Sequence, residues 1–341
     1  MNCSDSDLRF HGDVVAAAGQ LDFAVNVVPG GPPEWLREAL QDGLSRAAAY
    51  PNEGPATTAV AARHGRPPDE VVLTNGSAEA FWLLAQVLRP TRAVVVQPSF
   101  TEPEAALLAA GHRVQRVWRD PDRFNLNPAA VPTPADLVVT GNPNNPTGTL
   151  DAADTLVMLA RPGRMLVVDE AFMEFTAGET DSLAGRGDLP GLVVIRSLTK
   201  LWGLAGVRAG YLLASPRTAR ALRAARQPWS VNGFACAALA AWAKEGAGHA
   251  ARLVRDLAAA RERLAAALAT LSDIRVWPSA ANFLLLHVPD GPATLAGLSN
   301  RGIAVRPCQS FPGLSANHLR VAVRDPADNQ RLIDAFRAVL G

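Results

Sequence analysis

Short apolar segments alternate with helix-like segments from about residue 70 to residue 200. Five of the apolar segments, at 71–73, 93–96, 137–139, 165–168 and 192–195, are rich in β-branched residues and end at Gly, Pro or polar residues. This pattern is typical of strands that are buried on both faces, as in a parallel sheet. Helical patterns at 78–88, 103–110 and 152–159 lie between them. The alternation predicts an α/β domain with a mostly parallel central sheet.

The C-terminal third of the sequence has a different pattern. Alanine, arginine and regularly spaced leucine at 235–271 predict two helices, of which the first ends near Gly246 and Gly248. Short strand-like stretches follow at 274–277, 282–288, 303–306 and 318–323, and a last helix is expected over about 326–340. We therefore expect a smaller α+β domain over 231–341 and a large domain over 34–230. Residues 1–33 have too little apolar pattern to fold alone, so we expect this segment to pack on the small domain and the active site.

Charge and composition exclude several classes of partner. The 33 basic and 32 acidic residues leave a net charge of +1, so no overall field attracts nucleic acid or an anionic membrane. No apolar run reaches the roughly 18 residues of a membrane span, and the N-terminus lacks the apolar stretch of a secretory signal. Cys3, Cys236 and Cys308 are far apart, which favours reduced thiols over a metal site. We therefore expect a cytoplasmic protein without a metal, nucleic acid or membrane partner.

Polar residues follow each of the five predicted strands. They are Gly76 and Ser77, residues 98–100, residues 142–148, Asp169, and residues 197–200. In open α/β sheets, ligands bind at the carboxyl ends of the strands. The sequence therefore predicts that these five segments meet at one edge of the sheet.

Three of these residues have the chemistry to hold an aromatic aldehyde. A buried amine such as that of Lys200 can form a Schiff base with an aldehyde, although most lysines are solvated surface charges. Asp169 can stabilise a protonated pyridine nitrogen, or it can cap a helix. Asn145 can donate its amide to a ring oxygen, or it can be part of a tight polar turn.

Other residues of the same segments can hold a phosphate and a ring. Ser77 and Ala78 open a helix directly after a strand, which suits an anion but is also a common helix start. Hydroxyls at Ser197 and Thr199 and the guanidinium of Arg208 add to this anion site. Phe100 can stack on a flat ring, although an aromatic residue at a strand end is more often simple packing.

Together these motifs resemble the fold-type I pyridoxal 5'-phosphate (PLP) enzymes of the aspartate aminotransferase superfamily. The motifs are Asn-Pro-Asn-Asn-Pro-Thr-Gly at 142–148, Asp-Glu-Ala-Phe at 169–172, and Ser-Leu-Thr-Lys at 197–200 with an arginine eight residues later. The resemblance extends from about residue 10 to the C-terminus. It implies a PLP-dependent transferase fold of type I, PLP as cofactor, and a homodimer with active sites at the interface.

The resemblance also assigns roles to individual residues. It implies that Lys200 binds the cofactor aldehyde, Asp169 the ring nitrogen, Asn145 the 3'-oxygen, and that Phe100 lies on the ring. The residues that it places at the phosphate are Ser77, Ala78, Ser197, Thr199, Arg208, and Tyr50 reaching across from the other subunit. Arg320 matches the arginine that usually binds the substrate carboxylate, although it can equally be a surface arginine on a strand. Further substrate-binding candidates are Asn26, Arg306 and Arg324.

Two subfamilies resemble this chain most, and one position separates them. Aminotransferases such as histidinol-phosphate aminotransferase usually have tyrosine where this chain has Phe172, and threonine-phosphate decarboxylases generally have phenylalanine. The stretches at 11–12, 21–26, 31–33, 227–232 and 306–313 also resemble the decarboxylase, whereas Val28-Pro29 replaces the usual Asn-Pro.

The main interpretation is therefore an L-threonine-O-3-phosphate decarboxylase that makes aminopropanol phosphate for cobalamin biosynthesis. One alternative is a histidinol-phosphate aminotransferase, or a related amino acid aminotransferase, that uses 2-oxoglutarate. In either case the substrate is a small phosphorylated amino acid or amino alcohol. The alternative of another class is a catalytically silent PLP-binding protein. The sequence does not decide between decarboxylation and transamination, because both depend on how the substrate is oriented over the same ring.

Overall fold

A computed structural model of the chain describes residues 8–271 and 273–340, so Cys3 and the rest of the first seven residues lie outside the description. The strands are β1 (Leu21–Asp22), β2 (Val71–Asn75), β3 (Ala93–Gln97), β4 (Val114–Trp118), β5 (Leu137–Gly141), β6 (Met165–Asp169), β7 (Leu192–Ser197), β8 (Ala209–Ala214), β9 (Arg275–Val276), β10 (Phe283–His287), β11 (Ile303–Ala304), β12 (Arg306–Pro307) and β13 (His318–Ala322). The α-helices are α1 (Glu34–Ser45), α2 (Gly54–Arg63), α3 (Gly76–Leu88), α4 (Glu102–Ala109), α5 (Ala153–Val157), α6 (Pro216–Ala225), α7 (Gly233–Ala269), α8 (Gly291–Ser299) and α9 (Pro326–Leu340). Short 3-10 helices occur at Gly12–Val14, Pro68–Glu70, Pro128–Ala130, Met173–Phe175 and Ala177–Glu179.

The central sheet contains seven strands in the order β2-β8-β7-β6-β5-β3-β4. The pairs from β7 through β6, β5 and β3 to β4 are parallel, whereas β8 runs antiparallel to both of its neighbours. The α/β class with a mostly parallel central sheet is therefore confirmed, and all five predicted strands are present. The sequence patterns did not predict β4 or β8.

The two faces of the central sheet are covered by different helices. Alternate residues of each strand point to opposite faces. Val168 and Val194 contribute to an apolar cluster that includes residues of α1, α2 and the first half of α7. Val167 and Ile195 contribute to a second cluster with residues of α3, α4 and α6. Burial of such a side chain stabilises the fold by roughly 1.5–3 kcal/mol, so both faces hold the strands in register.

A second sheet forms from the C-terminal part of the chain, in the order β12-β13-β10-β9 with all neighbours antiparallel. Its apolar face packs with α8, α9 and the second half of α7. The N-terminal segment lies against this region: β1 pairs in parallel with β11, and the backbone N–H of Ala322 donates to the carbonyl oxygen of Phe23 over 2.8 Å. The boundaries 34–230 and 231–341 are kept as a proposal for the domain division.

Helix α7 corrects one prediction. The sequence predicted two helices with a break near Gly246 and Gly248, but Gly233–Ala269 is a single helix of 37 residues. Gly246 is buried, and a Cβ atom at this position would lie 2.6 Å from Cδ1 of Trp242. The glycine therefore gives the Trp242 ring room to pack along the helix, and it does not end the helix.

Candidate active site

The carboxyl ends of β5, β6 and β7 lie side by side at one edge of the central sheet. Gly141 pairs with Asp169, and Asp169 pairs with Ile195 on the next strand. Ser197 at the end of β7 pairs with Gly210, which follows the segment that contains Arg208. Parallel pairing therefore brings segments that are far apart in sequence to the same edge, which is where open α/β sheets bind their ligands.

Lys200 lies in the turn that follows β7 and is partly buried. The turn is tied down because the backbone N–H of Val28 donates to the carbonyl oxygen of Lys200 over 3.0 Å. Burial lowers the pKa of the Lys200 amine to about 8, and the nearby cations Arg320 and Arg208 act in the same direction. A lysine amine with a pKa near 8 is unprotonated in a useful fraction of molecules at neutral pH, so it can act as a nucleophile or a base.

The carboxyl group of Asp169, at the end of β6, is the second titratable group of the candidate site. Burial raises the pKa of its carboxyl to about 6, against the opposing effects of a hydrogen bond from Ala171 and the attraction of Lys200. Oδ1 accepts the backbone N–H of Ala171 over 3.0 Å. This carboxyl group caps a turn and begins no α-helix, so the helix-cap alternative does not account for it. An incompletely partnered carboxyl at this depth suits a ligand that brings a protonated nitrogen.

The first turn of α3 contains Ser77 and Ala78 and faces Arg208. Gly76 has φ 74°, and its backbone N–H donates to the carbonyl oxygen of Arg208 over 2.7 Å. A Cβ atom on Gly76 would collide with the guanidinium of Arg208. Glycine is therefore required for this close approach, which places a cation at the N-terminus of a helix, an arrangement that favours a bound anion.

Two hydroxyls and one guanidinium complete this anion site. Oγ of Ser197 donates to Oγ1 of Thr199 over 2.8 Å, and both side chains are buried. The guanidinium of Arg208 donates through Nη1 to the carbonyl oxygen of Ala205 over 3.1 Å. No carboxylate pairs with Arg208 among the described residues. The arginine therefore remains available to a ligand anion.

Asn145 and Arg320 contact each other, although Asn145 lies in the turn after β5 of the central sheet and Arg320 lies on β13 of the second sheet. Nη1 of Arg320 donates to Oδ1 of Asn145 over 2.5 Å, and Nη2 donates to the carbonyl oxygen of Ala24 over 2.8 Å. The Nδ2 group of Asn145 has no acceptor among residues 8–271 and 273–340, so it is free to donate to a ligand. Arg320 is therefore a buried residue of the site, and the alternative of a surface arginine does not hold.

The other three substrate-binding candidates occupy different environments. Nη2 of Arg306 donates to the carbonyl oxygen of Phe10 over 2.6 Å and to Oγ of Ser310 over 2.9 Å, without a carboxylate partner in the described chain. Arg324 donates to three backbone carbonyl oxygens, those of Asp22, Val25 and Val27. Asn26 is buried beside the same segment. Arg306 therefore keeps N–H groups for a ligand, whereas Arg324 ties the N-terminal segment to the rest of the chain.

The two aromatic candidates differ in position. The ring of Phe100 lies 5.8 Å from that of His11 and 6.2 Å from that of Phe81, measured between centroids. Tyr50 is 75% exposed, and its ring stacks on Trp229 with centroids 4.3 Å apart. Within one chain Tyr50 does not contact the other site residues, which leaves its assignment to a neighbouring subunit a proposal.

Several polar groups of the candidate site lack a partner in the described chain, and their chemistry can be compared with that of PLP. Nδ2 of Asn26, Nε of Arg320 and Nη1 of Arg306 are buried without a hydrogen-bond partner in the part of the chain that the structure describes. An amine, a carboxyl group and a phosphate-type anion site surround the same edge, and these match an aldehyde, a ring nitrogen and a phosphate. The described residues contain no group of three His, Cys, Asp or Glu side chains placed to hold a metal ion. No helix among them is long and apolar enough to cross a bilayer. The residues fit PLP.

The sequence analysis assigned no role to three residues whose contacts connect the segments of the site. Nδ2 of Asn144 donates to the carbonyl oxygen of Pro98 over 2.9 Å and so joins the segments that contain Asn145 and Phe100. Glu170 and Arg196 form a buried ion pair between β6 and β7. Asn144 and Glu170 belong to the motifs and Arg196 directly precedes one, but only the folded chain shows which groups they meet.

Comparisons with known proteins match this chain to one enzyme family. The family model for aminotransferase class I and II matches residues 18–336. A histidinol-phosphate aminotransferase of Mycobacterium tuberculosis is 46% identical over 321 residues, which cover 93% of this chain and 87% of that protein. The threonine-phosphate decarboxylase of Salmonella typhimurium is 35% identical over 335 residues, which cover 94% of this chain and 91% of the relative. Among solved structures, the histidinol-phosphate aminotransferase from Clostridium acetobutylicum has a TM-score of 0.87 at 25% identity, and the match covers 94% of this chain and 98% of that one.

Proposed function

This chain belongs to the PLP-dependent family of class I and II aminotransferases, and we propose that it is an aminotransferase that acts on histidinol phosphate. The observation that carries the PLP-dependent part of the proposal is the amine of Lys200 at the edge of the central sheet, whose pKa is lowered to about 8 by burial and by the cations Arg320 and Arg208. The 46% identical relatives that are named histidinol-phosphate aminotransferases support this substrate. The main interpretation from the sequence was the decarboxylase, and the comparisons favour its alternative.

The site residues have distinct tasks in this proposal. When PLP is bound, its ring accepts the electron pair of a bond that breaks at the Cα atom of the substrate. Lys200 would hold the cofactor through its aldehyde, and the Lys200 amine would serve as the base for the Cα proton of the substrate. Asp169 keeps its carboxylate against the ring nitrogen, and Asn145 donates its amide to the 3'-oxygen.

The anion-binding groups orient cofactor and substrate. Ser197, Thr199, Arg208 and the first turn of α3 hold the cofactor phosphate. Arg320 binds the carboxylate of the amino acid partner, and Arg306 provides a second guanidinium for the substrate phosphate. Orientation decides the reaction because the bond that breaks must be perpendicular to the ring, and a misplacement of about 1 Å can cost roughly a hundredfold in rate.

Phe172 favours threonine-phosphate decarboxylase as a second candidate. Its ring packs edge-on against Phe283 with centroids 5.1 Å apart, and Nζ of Lys200 lies 5.9 Å from its centroid. The residue stands where aminotransferases usually place a tyrosine hydroxyl. The relative at 35% identity is consistent with this candidate.

Two parallel assays separate the candidates. Purified protein loaded with PLP is given histidinol phosphate with 2-oxoglutarate, and glutamate is measured. In the second assay it is given O-phosphothreonine, and CO₂ and aminopropanol phosphate are measured. The proposal predicts glutamate in the first assay and no CO₂ in the second. Release of CO₂ without glutamate would replace the aminotransferase with the decarboxylase, and inactivity in both assays would favour the silent PLP-binding protein.

We also propose that the protein is a homodimer and that it is located in the cytoplasm. Exposed apolar side chains support a dimer: Leu44 is 62% exposed, Tyr50 75% and Trp229 57%. Light scattering of the purified protein would measure the mass directly. A monomer that binds PLP with full affinity would contradict the contribution of Tyr50 from a second subunit.

A further inference from the structure

Two buried charged residues lie directly behind the candidate site, at the ends of β6 and β7. Glu170 follows Asp169 in the chain, and Arg196 precedes Ser197. Side chains alternate between the two faces of a strand, so Arg196 points to the face opposite Ser197. The pair therefore joins the ends of two neighbouring strands on the face opposite Asp169 and Ser197.

The contacts of this pair are almost fully enclosed. Nη1 of Arg196 lies 2.9 Å from Oε2 of Glu170, and the two side chains are 2% and 0% exposed. The Glu170 carboxylate also accepts the Ser182 hydroxyl over 2.6 Å and the backbone N–H of Leu183 over 2.7 Å. Glu179 forms a second ion pair with Arg196. Both oxygen atoms of the Glu170 carboxylate therefore have hydrogen-bond partners, which fix the orientation of the side chain.

The pair also adds to a backbone link at the same point. The backbone N–H of Glu170 donates to the carbonyl oxygen of Ile195 over 2.8 Å. Burial raises the pKa of Glu170, and the attraction of Arg196 and the hydrogen bonds from Ser182 and Leu183 oppose this rise. Buried ion pairs often contribute little net stability, because desolvation offsets the attraction. Their directional hydrogen bonds still fix how the two groups lie relative to each other.

A flat cofactor held at both ends is sensitive to the relative position of these two strands. In the proposed site, Asp169 on β6 holds the ring nitrogen, whereas Ser197 after β7 helps to hold the phosphate. A shift of one strand against the other would tilt the ring relative to the Lys200 amine. Contacts that fix the two strand ends would therefore fix the orientation of the ring.

We propose that Glu170 and Arg196 are positioning residues that lock the end of β6 to the end of β7 and so set the orientation of the bound cofactor. This role rests on the proposed site, because it requires Asp169 and Ser197 to contact the cofactor. It predicts that weakening the ion pair changes the visible circular dichroism of bound PLP more than it changes the thermal stability of the fold.

Conservative variants test this role. Glu170→Gln retains the shape and can still bind Ser182 and Leu183, and Arg196 keeps its ion pair with Glu179, so this variant should fold. Arg196→Lys keeps the charge but loses the planar group that reaches two carboxylates. Glu70→Gln is the control, because Glu70 pairs with Arg66 before the amino end of β2, in a largely buried environment where the two side chains are 12% and 6% exposed.

The readouts are the visible circular dichroism of bound PLP, the dissociation constant for PLP, and the thermal midpoint of the cofactor-free protein. For Glu170→Gln and Arg196→Lys we expect the dichroism band to fall to about half or less and PLP affinity to fall about tenfold, within the range for small misplacements. Glu70→Gln should lower the thermal midpoint and leave both cofactor signals at the wild-type values.

Two results would overturn the proposal in distinguishable ways. Wild-type dichroism and affinity in both Glu170→Gln and Arg196→Lys would refute the positioning role while leaving the site intact. The positioning role would also be refuted if dichroism and PLP affinity fell in all three variants in proportion to their loss of thermal stability. A Lys200→Ala variant that keeps the wild-type dichroism band would refute the site itself, and the positioning role with it.

Discussion

Replacing Asp169 by asparagine should stabilise the cofactor-free protein, although it removes a residue of the active site. Burial raises the pKa of this carboxyl from its ordinary 3.8 to about 6, so the folded chain holds its ionised form at a disadvantage. A displacement of this size is worth about 3 kcal/mol once the group is fully ionised in both states. Asparagine has nearly the same shape and can keep the hydrogen bond from Ala171 without carrying charge.

The pH dependence of this gain follows from the same displacement. Below pH 3.8 the carboxyl is neutral in both states, and the variant gains nothing. Between pH 3.8 and 6 the folded state binds more protons than the unfolded state, so wild-type stability falls as pH rises. We therefore expect the advantage of Asp169→Asn to be about 2 kcal/mol at pH 5 and about 3 kcal/mol at pH 7.5.

Urea unfolding of the cofactor-free proteins at pH 5 and pH 7.5 measures this difference. Asp136→Asn is the control of opposite sign: burial acts to raise the pKa of Asp136, but hydrogen bonds from Thr91 and Arg92 outweigh it and lower the pKa. That variant should lose stability. With saturating PLP the order for Asp169→Asn should reverse, because a ligand stabilises in proportion to its affinity. An Asp169→Asn protein that is no more stable than wild type at pH 7.5 without PLP would refute the reasoning.

Three further variants test other parts of the structure. Gly246→Ala should lower the free energy of unfolding in urea by about 1–3 kcal/mol although alanine favours helices, because its Cβ would lie 2.6 Å from Trp242; an increase in stability would contradict the packing of α7. Gly76→Ala, at φ 74° and against the Arg208 guanidinium, should weaken PLP binding at least tenfold in a fluorescence titration; unchanged affinity would argue against the anion site there. Arg320→Lys should raise KM for the amino acid substrate about tenfold or more in steady-state assays while PLP affinity stays near the wild-type value; a normal KM would remove Arg320 from the substrate site.

The sequence predicted the parts of this fold that depend on local pattern. Strands such as β6 were found because a strand buried on both faces is a nearly continuous apolar run. β4 was missed because four of its five residues are exposed or half-exposed and because Gln115 and Arg116 stand between its two valines. The false break in α7 arose because a glycine that makes room for a tryptophan has the same sequence signal as a glycine that ends a helix.

Contacts between residues far apart in the sequence limited how much of the site could be predicted. The family resemblance assigns the substrate carboxylate to Arg320, and Arg324, four residues later, is a further candidate. Arg324 is occupied by the carbonyl oxygens of Asp22, Val25 and Val27, about 300 positions earlier in the chain. The motif residues could be predicted because each one needs a particular chemical group. Which arginine keeps a buried N–H group without a partner among the described residues depends on where the N-terminal segment lies, and no local pattern encodes that.

Covalent trapping of the cofactor tests the central claim most directly. The sequence contains two lysines, Lys200 and the exposed Lys244, so a modified lysine can be assigned without ambiguity. PLP-loaded protein is reduced with borohydride, digested and analysed by mass spectrometry. The account predicts one pyridoxyl group on the peptide that contains Lys200. Modification of Lys244 or the N-terminal amine, with Lys200 unmodified, would contradict it.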